Sequence, residues 1–148
     1  MMEQLLQQKW FNMSNKVYLE FEGFDEAIAR LNKLNGNVKQ ISEIALKKTH
    51  SIITEKAEKA IEPHNQTHQT EKSLRKEAKI EWAGTIASVQ TGFSISEGGL
   101  ASIFLMYGTP RMKKDQKMYN AFWSKSTQEE VRNAQREIFY DEIRRLGG

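Results

Sequence analysis

The longest regular segment of the sequence, residues 24–61, repeats apolar side chains at mostly three- and four-residue steps. This spacing predicts an amphipathic helix with one apolar face. Asn35-Gly36-Asn37 is a plausible break or kink, so the pattern is compatible with one helix or two. Pro63 prevents continuation, because proline lacks the backbone N–H that a helix interior needs. The apolar positions are Phe24, Ile28, Leu31, Leu34, Val38, Ile41, Ala45, Ile52 and Ala60.

Two shorter stretches have the two-residue alternation of strands. Residues 17–22 alternate apolar and polar side chains and end at Gly23, which predicts a half-buried strand. Residues 77–95 alternate on both sides of Ala83-Gly84, which predicts a hairpin. Residues 63–76, between these stretches, are polar and without a period, so we expect a loop there.

The last third of the chain contains short segments and one long one. Residues 100–107 are apolar but too few to assign by period, and Tyr107-Gly108-Thr109-Pro110 predicts a structural turn in which Gly108 has a positive φ or packs closely. Residues 116–124 predict one or two helical turns that bury Met118 and Phe122. A final helix should begin at the overlapping capping boxes of Ser126 and Thr127 and run to about Leu146. Its expected buried residues are Val131, Ala134, Ile138 and either Ile143 or Leu146.

The order of these elements predicts an α+β fold. Strands and helices do not alternate as repeated βαβ units, so we expect a small, mainly antiparallel sheet packed against one long helix. A short N-terminal and a long C-terminal helix complete it. The 148 residues fit a single domain, which we place at residues 17–148.

Residues 1–16 form an expected N-terminal extension. Leu6, Trp10 and Met13 fall at i, i+4 and i+7, which predicts a short amphipathic helix. A helix this short is marginal in isolation. Its apolar face should therefore contact either its own domain or a partner.

The sequence contains none of the patterns that usually carry catalysis or hold a cofactor. It has no cysteine, no Walker loop, no GxGxxG and no GxSxG, and all three histidines lie within residues 50–68. His64 and His68 have a helical metal-ligand spacing, but they follow Pro63 in a polar loop without a third ligand nearby. We therefore expect no catalytic residues, no metal and no cofactor.

The sequence also lacks the signals of a membrane or exported protein. No apolar run approaches the roughly 18 residues of a membrane span, and residues 1–15 lack the apolar core of a signal peptide. The expected site of folding or assembly is the cytosol.

The positive charge of the chain is concentrated in one segment. The net charge is +3, and residues 111–125 carry five cations against Asp115 alone. Such a patch attracts phosphate, although a solvated loop would have the same composition. No signature of a sequence-reading nucleic-acid-binding domain accompanies it. The candidate contact residues are Arg111, Lys113, Lys114 and Lys117.

Ordered motifs over about residues 17–146 resemble a family of small proteins from tailed bacteriophages. These proteins are variously called neck, head–tail joining or tail-completion proteins. A strand and a G-(L/F)-D-E helix start are found in that family, as in Gly23-Phe24-Asp25-Glu26, although Thr70–Leu74 replaces its T-G-x-L motif. The other matching positions are Trp82, Gly84, Ala87, Val89, Gly92, Phe93, Phe104, residues 107–111 and residues 118–122.

The resemblance implies a structural role rather than a reaction. Members of the family form rings of identical subunits around the DNA channel, between the capsid connector and the tail, and the expected ring here is a hexamer. The implied partners are other copies of the chain, the neighbouring head-completion or connector proteins, tail-terminator or tail-tube proteins, and the genome DNA without sequence specificity. The alternative from composition is a stand-alone basic nucleic-acid-binding module.

Overall fold

The computed structural model describes residues 15–18, 25–64, 69–83, 86–94 and 97–148. The strands are β1 (Asn15–Tyr18), β2 (Ile80–Ala83) and β3 (Ile86–Thr91). The helices are α1 (Asp25–Lys33), α2 (Val38–Ile61), α3 (Gln69–Lys72), α4 (Leu100–Tyr107), α5 (Gln116–Trp123) and α6 (Lys125–Arg145), with a 3-10 turn at Glu62–His64.

The predicted α+β class is confirmed, with a small antiparallel sheet and long helices. The strand order is β1-β3-β2, so β3 is central and Val89 lies opposite Val17 on one side and Ile80 on the other. Strand β1 begins at Asn15, two residues earlier than predicted, so the end of the predicted extension falls within the sheet. The rest of the predicted strand lies outside the described residues.

The predicted break within residues 24–61 separates two helices. Asn35 has a φ of 57°, and the Gly36 N–H donates to the Leu31 carbonyl at 2.8 Å, which closes α1. Asn37 then caps α2, because its side-chain oxygen accepts a hydrogen bond from the Gln40 N–H at 3.1 Å. Three consecutive residues thus end one helix and start the next.

Helix α2 contributes to two hydrophobic cores, one on each half of its length. The first contains Leu46, Val89 and Phe139, and the second contains Ile61 and Phe93 together with the buried side of α5. The two cores follow one another along α2 in the same order as Val89 of β3 and Phe93, which lies just beyond the end of β3. The sheet and α6 therefore both depend on this helix.

Residues 63–76 contain structure that the sequence did not predict. The 3-10 turn and α3 lie within the predicted loop, and Leu74 forms an isolated bridge with Phe93 beyond the end of β3. Leu74 is buried in the second core. Leu74 is a single apolar residue in a polar stretch, and it attaches this segment to the second core. One apolar residue produces no hydrophobic periodicity, so the sequence pattern could not indicate it.

The predicted start of the last helix is wrong. Helix α6 begins at Lys125, because the Ser124 hydroxyl accepts a hydrogen bond from the Thr127 N–H at 3.0 Å. Thr127 is buried, and its hydroxyl donates to the Asn120 carbonyl of α5 at 2.8 Å. The capping boxes at Ser126 and Thr127 therefore do not form.

The buried face of α6 is also displaced from the prediction. Ile143 is buried as expected, but Val131, Ala134, Ile138 and Leu146 are only half-buried. Gln135 and Phe139 occupy the centre of the interface instead. The Gln135 side-chain amide donates to the Thr49 hydroxyl of α2 at 2.9 Å, so a buried polar pair fixes this face.

None of the helices in the described part of the chain combines the length and the apolar character needed to cross a bilayer.

The packing of α6 predicts different costs for two adjacent truncations. Phe139→Ala should lower the free energy of unfolding by about 3–5 kcal/mol, because it empties a fully buried site. Ile138→Ala, the matched control on the half-buried flank, should cost clearly less. Denaturant unfolding measures both free energies. Equal losses would contradict the burial of the Phe139 side of α6 in place of the Ile138 side.

A cationic loop between helices α4 and α5

The residues joining α4 to α5, with the first turn of α5, form the candidate site, called here the cationic loop (residues 108–117). Helix α4 is short and apolar, and Ser102, Ile103 and Met106 are buried. Gly108 ends it with a φ of 76°, and its N–H donates to the Phe104 carbonyl at 2.8 Å. The expected positive φ at Gly108 is thus confirmed.

Gly108 also lies where a side chain has no room. A Cβ at this position would lie 2.8 Å from the Lys114 nitrogen and 2.9 Å from the Met112 oxygen. Both atoms belong to the backbone of the returning part of the loop. The glycine therefore allows both the turn and the close approach of its two sides.

The tip of the loop is a tight turn. The Thr109 N–H donates to the Met112 carbonyl at 2.8 Å, and the Met112 N–H donates to the Thr109 carbonyl at 3.2 Å. Pro110 and Arg111 form the apex, where the Arg111 N–H donates to the Thr109 hydroxyl at 3.2 Å. These bonds define the backbone of the turn, from which the exposed side chains of Arg111 and Lys113 extend.

Asp115 anchors the base of the loop through three separate contacts. Its N–H donates to the Leu105 carbonyl at 2.6 Å, and its Oδ1 caps α5 by accepting from the Met118 N–H at 3.0 Å. Its Oδ2 lies 2.6 Å from Nε2 of His64, just beyond the end of α2. The loop is therefore attached to both α4 and the α2 end.

The electrostatics of Asp115 favour its charged form. Burial by itself raises the pKa of this carboxyl, but the hydrogen bond from the Met118 N–H, the neighbouring His64 and the Lys117 N–H together lower it. The net direction is a lowered pKa. The carboxylate thus keeps its charge while it caps α5 and binds His64.

All four predicted cations lie on this loop and are exposed. Lys114 is the most constrained, because its Nζ lies 3.8 Å from the centroid of the Tyr119 ring. Arg111, Lys113 and Lys117 form no ion pair within the described part of the chain. Three of the four cations are thus directed to solvent without a charged partner among those residues.

Other residues of the predicted site have different roles. Tyr107 is half-buried at the end of α4, where it packs against the second core and burial raises the pKa of its hydroxyl. Leu6, Trp10, Met13 and His68 lie outside the described residues. Within the described ranges, no group of three acidic or histidine side chains is arranged to hold a metal ion.

Sequence reasoning missed two features of the site. The His64–Asp115 contact joins residues far apart in the chain, and nothing in either local sequence indicates it. Met112 is an exposed apolar residue, with 41% of its surface accessible, between cations of the tip. Its exposure follows from the tight turn, which directs it away from both cores.

Comparison of the chain with family models, curated proteins and solved structures finds no match in any of the three.

The geometry of Gly108 predicts a strong effect of a β-branched side chain. Gly108→Val should lower the free energy of unfolding by more than about 1 kcal/mol, because strain at positive φ adds to a clash with backbone atoms. Gly147→Val is the matched control, since Gly147 has a φ of 89° but no atom near its missing Cβ. Thermal unfolding compares them, and an unchanged melting temperature for Gly108→Val would show that the loop adapts.

The lowered pKa of Asp115 predicts a pH-dependent contribution to stability. The carboxylate stabilises the fold above the ordinary Asp pKa, and this stabilisation is lost as the pH falls through the lowered value. Asp115→Asn keeps a side chain able to cap α5 but removes the charge. Its melting temperature should lie below that of the parent at neutral pH, and the difference should shrink on acidification to about pH 3.

The matched control for this pH effect is Asp141→Asn, an exposed site near the end of α6. Its melting temperature should stay close to that of the parent throughout. A difference between Asp115→Asn and the parent that is independent of pH would be inconsistent with a charge-based anchor.

Proposed function

We propose that this chain is a structural protein of a tailed bacteriophage particle. It forms a closed ring of identical copies, about six, at the head–tail junction around the DNA channel. The ring joins the capsid connector to the tail and catalyses no reaction. It is assembled in the host cytoplasm and resides in the virion. The observation that carries the proposal is the cationic loop, a hydrogen-bonded turn with exposed cations, taken together with the resemblance over residues 17–146.

Three of the positions that carry the resemblance are neighbours in space. Phe93 beyond the end of β3, and Met118 and Phe122 of α5, belong to the second core, whereas the matched Ala87 and Val89 belong to the first. The Phe93 and Phe122 rings lie 6.5 Å apart at a tilt of 59°. The three matched positions of the second core therefore pack beside α5, the helix that follows the cationic loop.

The charge of the loop suits contact with DNA that passes without being read. Its cations extend from a hydrogen-bonded turn, and a ring would repeat this turn once per subunit. Four per subunit gives a belt of roughly two dozen positive charges around a channel, enough to attract phosphates without contacting bases. Weak, salt-sensitive attraction is what a channel needs, since the DNA must move through it.

The few exposed apolar side chains of the described residues favour no more than weak self-association of the isolated protein. The exposed large apolar side chains there are Ile44, Phe104 and Met112, which lie on different elements. Three such side chains on the described residues are fewer than the broad apolar interface of an obligate oligomer contains. The isolated protein should therefore be a monomer or a weak oligomer, and contacts with connector, tail-terminator or tail-tube proteins would assemble the ring.

Neutralising the loop tests the proposal in assembled particles. Replacing Arg111, Lys113, Lys114 and Lys117 by Gln should leave the melting temperature nearly unchanged, because exposed charges contribute little to stability. It should reduce the yield of DNA-filled, infectious particles. Plaque titre and the ratio of full to empty heads measure this effect.

A matched variant controls for the loss of charge itself. Replacing Lys33, Lys48, Lys79 and Arg136 by Gln removes the same number and kinds of exposed cations elsewhere. Parent-like titre and DNA content in the loop variant would contradict the proposed contact. Tight, sequence-selective DNA binding by the isolated parent in a mobility-shift assay would instead favour a stand-alone nucleic-acid-binding module.

A further inference from the structure

The sequence contains one Asn-Gly pair, Asn35-Gly36, and it lies at the junction of α1 and α2. Asn35 is exposed, and its φ of 57° belongs to the left-handed region, which asparagine tolerates better than most residues. Glycine has no side chain to shield its own backbone nitrogen. For this reason an asparagine followed by glycine loses its side-chain amide more readily than other asparagines do.

The reaction at such a pair needs only water. The Gly36 nitrogen loses its proton and forms a bond to Cγ of Asn35, and the side-chain amide group leaves as ammonia. Water then opens the resulting succinimide ring. Opening at one carbonyl gives aspartate, and opening at the other gives isoaspartate, in which the backbone runs through the former side chain.

In the folded chain the attacking nitrogen is already engaged. The Gly36 N–H donates to the Leu31 carbonyl at 2.8 Å, and the Asn35 N–H donates to the Asn32 carbonyl at 3.2 Å. These two bonds, with Asn35 in the left-handed region, form a Schellman motif at the end of α1. The motif retains the proton that the reaction must remove, and it fixes the orientation of the Gly36 peptide group.

The end of α6 covers the same glycine. Gly36 is half-buried, and a Cβ at this position would lie 3.0 Å from Cδ1 of Leu146 and 3.1 Å from Cδ2 of Leu31. Leu146 is itself half-buried and packs against the first core, as Leu34 does. The Schellman motif is therefore covered by a residue that lies far away in the sequence.

We propose that Asn35 is a deamidation site whose reactivity is controlled by the contact between Leu146 and Gly36. While the end of α6 is packed, the Gly36 nitrogen stays hydrogen-bonded and conversion is slow. When the end of α6 separates from the junction, the Gly36 N–H is released and Asn35 converts. The proposal does not depend on the proposed role in a phage particle.

The product weakens the junction in which it forms. A carboxylate at position 35 follows the C-terminus of α1, where the helix dipole disfavours negative charge. Isoaspartate also lengthens the backbone before Gly36, which displaces its N–H from the Leu31 carbonyl. Because ammonia is lost, a chain that has converted does not return to the original junction.

Incubation of the full chain at mildly alkaline pH, in buffer and in concentrated guanidinium chloride, tests the restraint. Trypsin then releases residues 34–39, which contain Asn35 and, as an internal reference, Asn37 before a valine. Mass spectrometry with fragmentation assigns the amide loss to either position. Conversion of Asn35 should be many-fold faster in guanidinium chloride than in buffer, and Asn37 should convert far more slowly in both. Equal rates for Asn35 in the two solvents, or no conversion in guanidinium chloride, would overturn the proposal.

Two leucine truncations test the role of the α6 end. Leu146→Ala removes the side chain that contacts Gly36, and Leu105→Ala, the matched control, truncates another half-buried leucine that packs against the second core. In buffer, at a temperature where both variants are folded, Leu146→Ala should convert Asn35 several-fold faster than the parent. Leu105→Ala should stay close to the parent.

Equal rates in the two variants would show that the Leu146 contact does not control the site, and would overturn that part of the proposal. If Leu146→Ala does not fold, the comparison of buffer with guanidinium chloride in the parent still decides whether the fold restrains Asn35. Hydrogen exchange of residues 34–39 in Leu105→Ala and in the parent then completes the test. Protection of the Gly36 amide no greater than that of an unfolded peptide would contradict the restraint.

Discussion

The packing of helix α2 is the interaction on which the rest of this structure depends. Its N-terminal half buries Ala45 and Leu46 in the core shared with β3 and α6, and its C-terminal half buries Ile53, Ala57 and Ile61 in the core shared with α5. Truncating one such buried Leu or Ile costs about 2–5 kcal/mol, a large fraction of the stability of a small domain. Within the described residues, α2 contributes to both cores and so joins the sheet to α5 and α6.

The position of the candidate site depends on that helix. His64 follows the end of α2 and contacts Asp115. This contact attaches the base of the cationic loop to the helix that contributes to both cores. The loop itself depends on local backbone bonds and on the missing side chain of Gly108. Because the loop backbone already forms a turn, it need not order when its cations meet a charged partner, although the exposed side chains still lose rotamer freedom.

The sequence predicted those elements whose local signal was complete. The break at Asn35-Gly36-Asn37 has its own turn and capping chemistry, the hairpin has alternation on both sides of its turn, and the cations cluster within a few residues.

The predictions fail where tertiary contacts determine the local structure. Leu74 fixes a polar segment through one distant bridge, and Thr127 starts no helix because its hydroxyl bonds to α5. Gln135 is buried only because Thr49 faces it, and His64 finds Asp115 across the fold. No local pattern encodes such pairs.

In the proposed assembly, copies of this chain surround DNA between a phage head and its tail. A density map of the assembled particle by electron cryomicroscopy tests this most directly, because the long α2 and α6 helices are recognisable features. The map is expected to show a closed ring of this chain at the head–tail junction. Residues 108–117 of each copy should face the channel or an adjoining acidic ring. A particle whose junction is fully explained by other proteins, with no density for this chain, would contradict it.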